Sequence, residues 1–392
     1  MKRYIQAAVA RDLTKKMVFI TGPRQAGKTT LSKAIMAELF TTTSSSSAAN
    51  ASGLSESQYL NYDVAPDRAL IERRAWNARS ELLIFDEIHK MPLWKAWLKG
   101  VYDGKPEGQK ILVTGSARLD IFRRTGDSLA GRFFSFRLNP ISVREWCNYT
   151  SMKPEAALSH LLERGGFPEP CLAETKVEAQ RWRRDYFDGL VRDDVLEFSR
   201  LHEVQAMRLF VELLRNRVGS PLSLASIARD LHISPTTLKK YLDILEALYI
   251  VFTVRPWHKN IARATLQAPK IYFYDTGFVM GGEGAVFENL VAISLLKHLE
   301  YLRDIEGQET DLHYVRTKDG AEVDFAISQN QVLTELIECK VSDAAVHKAL
   351  LRFSLEFPEA KAVQLVRDLR NEYDVQNVKI AKAANWLHEL SA

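Results

Sequence analysis

The apolar and polar positions of this chain follow one rhythm over residues 1–150 and another beyond. Met17 to Thr21 is a short apolar run closed by Gly22, and a helical pattern follows from Thr29 to Leu39. Thr41 to Gly53 is a Thr/Ser/Ala/Asn tract without apolar periodicity, which predicts a surface loop. Strand character resumes at Tyr59–Tyr62 and recurs at Leu82–Phe85 and Ile111–Thr114, with helix-compatible stretches between. Strands alternating with helices predict a parallel α/β sheet.

From Pro154 to Leu213 the pattern is helical, with Arg181, Arg183, Arg184 and Arg192 interleaved with Trp182, Tyr186 and Phe187, as on a solvated helical lid. Ser223 to Trp257 then reads as a winged helix-turn-helix. A short helix spans Leu224–Leu231, a turn follows, and Ser234-Pro235 supplies the N-cap and first position of a second helix, Thr236–Leu248. Leu238, Tyr241, Leu242 and Leu245 point inward, Thr237, Lys239 and Lys240 outward, and Tyr249–Val254 reads as a strand. The outward face suits a DNA major groove. Beyond it come a strand at Ile271–Tyr274, a helix near Phe287–Leu299, and strands near Leu312–Val315, Glu322–Ile327 and Val332–Lys340.

Composition changes little in this picture. With 392 residues, 46% apolar and 26% charged, the chain has material for several cores and reads as globular and soluble. The apolar stretch after Met1-Lys2-Arg3 ends by Ala10, too short for a secretory signal, and no 18-residue apolar run spans a membrane. Cys147, Cys171 and Cys339 are far apart and odd in number, which argues against disulfides and zinc and for a reducing cytoplasm. A formal charge of +4 leaves any nucleic-acid contact to local patches.

The strongest chemical signal is Gly22-Pro23-Arg24-Gln25-Ala26-Gly27-Lys28-Thr29, with Thr30 next, between a predicted strand and a predicted helix. Backbone N–H groups of such a loop line an anion-sized hollow at a helix N-terminus, so it suits the phosphates of ATP. Gly22 and Gly27 permit the turns, Lys28 reaches the β- and γ-phosphates, and the Thr29 hydroxyl joins an Mg²⁺ shell. Leu82 to Phe85 ends in Asp86 and Glu87: Asp86 is expected to hold the metal and Glu87 to activate water. Ser116, or Thr114, is assigned a sensor role beside the γ-phosphate. Arg132 is a candidate arginine finger, in cis or from a neighbouring subunit, and the second case requires a homo-oligomer. Asp86-Glu87-Ile88-His89 also fits a helicase pattern, but residues 151–260 supply helices where a second nucleotide-binding lobe would be needed.

A second constellation lies near the C-terminus, where Glu322-Val323-Asp324-Phe325 and Glu338-Cys339-Lys340 sit on two predicted strands. Alternate strand residues share a face, so pairing of the two strands would converge the charged groups. Metal-dependent phosphodiester cleavage uses this chemistry, with Asp324 and Glu338 on one or two Mg²⁺, Lys340 steadying the water or the scissile phosphate, and Glu288 as an additional acid. Glu174-Thr175-Lys176 and Glu359-Ala360-Lys361 match the short pattern too, without the strand context. The competing reading is structural, with Lys340 paired to Glu338 or Asp324.

Together with Leu129-Ala130-Gly131-Arg132, Leu138-Asn139-Pro140, Gly165-Gly166-Phe167-Pro168-Glu169 and Lys270-Ile271-Tyr272-Phe273-Tyr274-Asp275-Thr276-Gly277, these motifs resemble a family of bacterial and archaeal AAA-superfamily ATPases with a C-terminal restriction-endonuclease-like domain. The Ser-rich insert at 43–47 departs from its pattern. The resemblance implies an α/β P-loop AAA-type core at 1–150, a helical lid at 151–204, a winged helix-turn-helix at 205–257 and an α/β restriction-endonuclease-like domain at 258–392. The expected activity is ATP hydrolysis with Mg²⁺, coupled to DNA through a nuclease-like domain. The alternative is a nucleotide-controlled DNA- or protein-binding switch that never cuts.

Overall fold

The computed structural model describes residues 1–45, 56–115, 129–190, 201–258, 268–342 and 345–392. They form two compact units, Met1–Asn139 and Pro140–Ala392.

In the first unit, α1 (Gln6–Asp12) leads into β1 (Met17–Thr21) and α2 (Lys28–Ser45). Next come β2 (Glu56–Asn61), α3 (Ala65–Arg73), β3 (Ser80–Asp86), α4 (Trp94–Asp103), β4 (Lys110–Thr114) and β5 (Phe133–Arg137). The strand order is β2-β3-β4-β1-β5, and every pairing is parallel, as expected. The central strands are continuous apolar runs because helices cover the sheet, and Val18, Ile20, Leu83, Ile84 and Val113 are fully buried. Two elements differ from expectation. Helix α2 runs on to Ser45, past Thr41, because Thr and Ser are tolerated inside a helix and no Pro or Gly interrupts them. Strand β5 is unforeseen: its Phe/Ser/Arg sequence is only half-buried at the sheet edge.

The second unit opens with α5 (Val143–Thr150), capped by Ser142 and Glu145 in a capping box. Helices α6 (Pro154–Arg164), α7 (Pro168–Leu172), α8 (Lys176–Leu190), α9 (Leu201–Arg215), α10 (Leu224–Leu231) and α11 (Pro235–Ala247) follow. Helix α5, which lies before the boundary expected at 150, buries Val143, Trp146 and Cys147 and packs on α6 and on the C-terminal helix α14 (Ala383–Glu389) of the second unit.

Strands β6 (Val251–Pro256) and β7 (Lys270–Phe273) form an antiparallel pair, then comes the long α12 (Glu283–Glu306). An antiparallel meander of β8 (Thr310–Arg316), β9 (Glu322–Gln329) and β10 (Val332–Ser342) is followed by α13 (Lys348–Glu356) and β11 (Lys361–Asp368), parallel to β10. Strands β12 (Tyr373–Val375) and β13 (Val378–Lys382) complete the order β12-β13-β11-β10-β9-β8-β6-β7. The boundary expected at 257/258 therefore falls inside one sheet: Arg255 and Pro256 of β6 pair with His313 and Tyr314 of β8.

That junction bends the sheet. Val251–Val254 of β6 pair with β7, and only the last two residues reach β8. In a flat sheet β7 and β9 would stand three spacings, about 14 Å, apart. Instead Tyr272 of β7 meets Phe325 of β9 with ring centroids 5.4 Å apart. No helix among the described residues is long and apolar enough to cross a membrane.

Candidate functional site

In the first unit, the loop from β1 to α2 leaves the carboxyl end of a strand inside the sheet, where open α/β sheets place their ligands. Gly22 (φ +135°) and Gly27 (φ +96°) take backbone conformations that L side chains rarely adopt, and Gln25 (φ +58°) is left-handed as well. A Cβ on Gly22 would stand 2.5 Å from the Leu138 carbonyl oxygen. Gly22→Ala is therefore expected to destabilise the unit by about 1–3 kcal/mol and to weaken ATP binding, measurable by thermal unfolding with and without nucleotide.

The loop is braced from below by residues that sequence reading treated only as a basic terminus. The buried Arg3 guanidinium donates to the Ala26 carbonyl at 2.7 Å and to the Asn139 carbonyl at 2.5 Å. The Tyr4 hydroxyl donates to the Arg137 carbonyl at 2.5 Å and accepts from the Asn139 N–H at 3.1 Å. Nothing in the pattern of Met1-Lys2-Arg3-Tyr4 announces this role, because the partners are backbone carbonyls distant in sequence.

Lys28 folds back over the loop and donates to the carbonyls of Gly22 (3.0 Å) and Pro23 (2.6 Å). Thr29 and Thr30 open α2 with exposed side chains. The Thr29 hydroxyl donates to Asp86 Oδ2 at 2.9 Å, so the loop and the end of β3 meet as expected. Asp86 is buried and accepts two further hydroxyls: Thr114 from β4 at 2.6 Å on Oδ1, and Tyr59 from β2 at 2.5 Å on Oδ2. Burial and the Asp86 carboxylate push the Tyr59 phenol well above its ordinary range, so it stays a donor. Tyr59 was not foreseen as a site residue; only the β2–β3 pairing brings it alongside.

Glu87 follows in a left-handed conformation (φ +57°), its N–H bonded to the Thr114 carbonyl at 3.0 Å. That turn carries the carboxylate away from the buried strand, with His89 Nε2 at 3.5 Å and Lys90 Nζ at 3.8 Å. Burial raises the carboxyl above its ordinary value and Asp86 and Asp63 reinforce the shift, against Lys90 and Lys28. A carboxylate so placed suits a base.

Ser116 lies outside the described residues, whereas Thr114 holds Asp86. Arg132 needs a correction. It precedes β5, and the register Met17↔Phe133 to Thr21↔Arg137 puts it at the end of the sheet opposite the phosphate loop, a strand length or about 15 Å away. There it grips Asp103 with two bonds of 2.8 and 3.1 Å, so it is no arginine finger in cis.

In the second unit, the left-handed His232 ends α10, and Ser234 caps α11 by accepting the Thr237 N–H at 3.0 Å. Leu238, Tyr241, Leu242 and Leu245 are buried, and Lys239 and Lys240 are exposed. Lys239 is held by Asp243 at 2.5 Å.

The C-terminal charges also converge. Asp324 Oδ2 accepts the Cys339 N–H (2.9 Å), Glu338 Oε2 the Asp324 N–H (3.3 Å), and Glu338 Oε1 the Lys340 ammonium (2.7 Å). Tyr272 donates to Glu288 at 2.7 Å. Burial first, and then the Asp324 charge, push the Glu288 and Glu338 carboxyls upward. The member that sequence reading missed is Lys270. Its buried ammonium lies 2.7 Å from Glu322, 3.5 Å from Glu288 and 3.5 Å from Asp324. Among the described residues no three His, Cys, Asp or Glu side chains are arranged to hold a metal ion. The oxygens of Asp324, Glu338 and Glu288, which the sequence offers as metal ligands, are turned to Lys270, Lys340, Tyr272 and backbone N–H groups.

Comparison with known proteins divides the chain in a related way. Residues 14–147 match an AAA domain, 155–282 a domain of unknown function (DUF8612) and 283–385 another (DUF4143). An uncharacterised protein of Mycobacterium tuberculosis is 28% identical over 361 residues, covering 87% of this chain and 76% of its own. One of Methanocaldococcus jannaschii is 25% identical over 277 residues, covering 65% of this chain and 60% of its own. Among solved structures, AMPPCP-bound DnaA from Aquifex aeolicus aligns over 62% of this chain and 86% of its own at 16% identity, with a TM-score of 0.33. Thermotoga maritima RuvB aligns over 64% and 85% at 17% identity, with a TM-score of 0.32. Scores this low carry no argument about this chain. The sequence match and the phosphate loop make the first unit an AAA-type ATPase domain.

Proposed function

We propose that the chain hydrolyses ATP with Mg²⁺ at Lys28, Thr29, Asp86 and Glu87, and that its nucleotide state governs how the second unit engages DNA. The observation that carries the first step is the Thr29–Asp86 contact of 2.9 Å at the mouth of the phosphate loop, with Glu87 one residue on. A hydroxyl and a single carboxylate are the donors Mg²⁺ takes when phosphates and water complete its octahedron, so these residues fit the ion. When bound, the ion neutralises charge on the β- and γ-phosphate oxygens. Lys28 exchanges its two carbonyl partners for phosphate oxygens, and the loop N–H groups hold the phosphates in register. Tyr59 and Thr114 fix Asp86 so that one geometry is presented. Glu87 takes the proton of the attacking water. ATP turnover by the purified chain, lost on substitution of Lys28 or Glu87, tests this.

The DNA step rests on the exposed face of α11. Lys240→Ala is expected to weaken duplex binding irrespective of sequence and to reduce the slope of log affinity against log salt by about 1, with a smaller effect at Lys239, whose charge Asp243 already offsets. Fluorescence anisotropy with labelled duplexes at several salt concentrations measures this, and unchanged binding in both variants would remove α11 as the contact.

For the C-terminal domain the geometry favours the second reading, a nuclease-like fold that binds without cutting. What supports a nuclease-like reading is that β9 and β10 bring Asp324, Glu338 and Lys340 together, and what speaks against cutting is that Lys270 lies against Asp324, Glu288 and Glu322. The domain is expected to leave single- and double-stranded DNA and RNA intact with Mg²⁺ or Mn²⁺ present. Cleavage that disappears in Asp324→Ala would restore the nuclease.

A further inference from the structure

The three carboxylates that face Lys270 come from α12 and β9, and the lysine itself comes from β7. We propose that the ammonium of Lys270 is the permanent cation of this cluster, standing where a nuclease-like domain would hold a divalent metal, so that the site is closed to metal and assembled without it.

The stoichiometry is matched. An ammonium has three N–H donors, and three carboxylates, Glu322, Glu288 and Asp324, surround this one at 2.7, 3.5 and 3.5 Å. The fourth carboxylate, Glu338, is served by Lys340 at 2.7 Å, and the second oxygen of Glu322 by Arg316 at 2.7 Å. Every oxygen of Asp324 and Glu338 has a donor within 3.5 Å: Lys270 and the Cys339 N–H on one, Lys340 and the Asp324 N–H on the other. Mg²⁺ would need such oxygens at about 2.1 Å, and a dication that close would sit against a fixed ammonium of like sign.

Lys270 is also held too firmly to swing aside. It is wholly buried, and β7 is gripped on several sides. The backbone of Lys270 pairs with Val254 of β6 and bridges to Pro221. Asn289 of α12 accepts the Phe273 N–H at 2.7 Å and donates to the Phe273 carbonyl at 3.0 Å. The Tyr314 ring lies under the ammonium, its centroid 5.4 Å away. Burial alone would lower the pKa of this amine, but Glu288, Asp324 and Glu322 overcome that and raise it, so the charge is retained. The lysine lies in the span matched by one domain of unknown function and the carboxylates in the span matched by the other, so the cluster ties the two together.

The inference rests on reading this domain as nuclease-like and is independent of the ATPase. It is tested by Mn²⁺ binding, followed by electron paramagnetic resonance on the full chain without nucleotide, with Asp86→Asn added throughout to silence the first site. With Lys270 present, no Mn²⁺ is expected to bind at the cluster up to about 1 mM; Lys270→Met is expected to gain a site at least about tenfold tighter, lost again on adding Asp324→Asn. If Lys270→Met does not fold alone, refolding on addition of Mn²⁺ supports the proposal. The double variant Lys270→Met/Glu322→Gln, which removes one carboxylate with the ammonium, serves as the second folded test. Mn²⁺ binding by the Lys270 chain that Asp324→Asn abolishes would overturn the proposal, whichever variants fold. A folded Lys270→Met that takes no Mn²⁺ would overturn it too, by removing the nuclease-like reading beneath it.

Discussion

Lys28→Ala is expected to abolish nucleotide turnover, with steady-state phosphate release falling by at least about 10²–10³-fold. Two losses combine in this variant. The ammonium that would neutralise the β- and γ-phosphates is gone, and the carbonyls of Gly22 and Pro23, which it holds at 3.0 and 2.6 Å, lose their donor. The loop is then no longer drawn into the curve that aims its N–H groups inward, so ATP affinity falls with the rate. Unaltered circular dichroism is expected, because the strands on either side of the loop, β1 and β4, are buried runs that do not depend on the lysine. Full turnover in a folded Lys28→Ala chain would place hydrolysis elsewhere.

Glu87→Gln has a different signature. The hydroxyls of Thr29, Tyr59 and Thr114 are bonded to Asp86, not to Glu87, which Lys28 and Lys90 influence through charge. Removing its capacity to accept a proton is expected to slow hydrolysis by about 10²–10⁴-fold while ATP still binds. The isosteric amide keeps the left-handed turn at φ +57° and the backbone bond to Thr114, so the structure is preserved. A variant that loses binding and turnover together would make Glu87 a structural residue.

How legible these sites were in the sequence differs with the kind of information each requires. The phosphate loop and the Asp86–Glu87 strand end were legible because all their residues are adjacent in sequence and each strand is an unbroken apolar run. Tyr59 and Arg3 were not, because their roles exist only through strand order and through distant carbonyls. Arg132 was misplaced for the same reason: a motif names a residue but not the end of the sheet on which it stands. The two helices α10 and α11 were read almost to the residue, since Ser234-Pro235 marks the start of the second directly. At the C-terminus the acidic strands were found, but Lys270 opens a strand of aromatic residues, and nothing local reveals that the bend at β6 folds that strand over Asp324. The strands and helices after Ser342 were not anticipated at all, because α13 and β11 carry short, mixed patterns that gain their burial by packing on the meander.

The Lys270 geometry also shapes the functional account. On the proposed reading, a nuclease-like domain whose acidic centre is satisfied from within would serve as a binding scaffold, and the work of the chain would reside in ATP hydrolysis by the first unit.

The nucleotide found on the Glu87→Gln chain after incubation with ATP and Mg²⁺ and rapid desalting tests that claim most directly. Retained ATP with an intact γ-phosphate is the predicted result; ADP, formed with phosphate release at the rate of the unaltered chain, would contradict it.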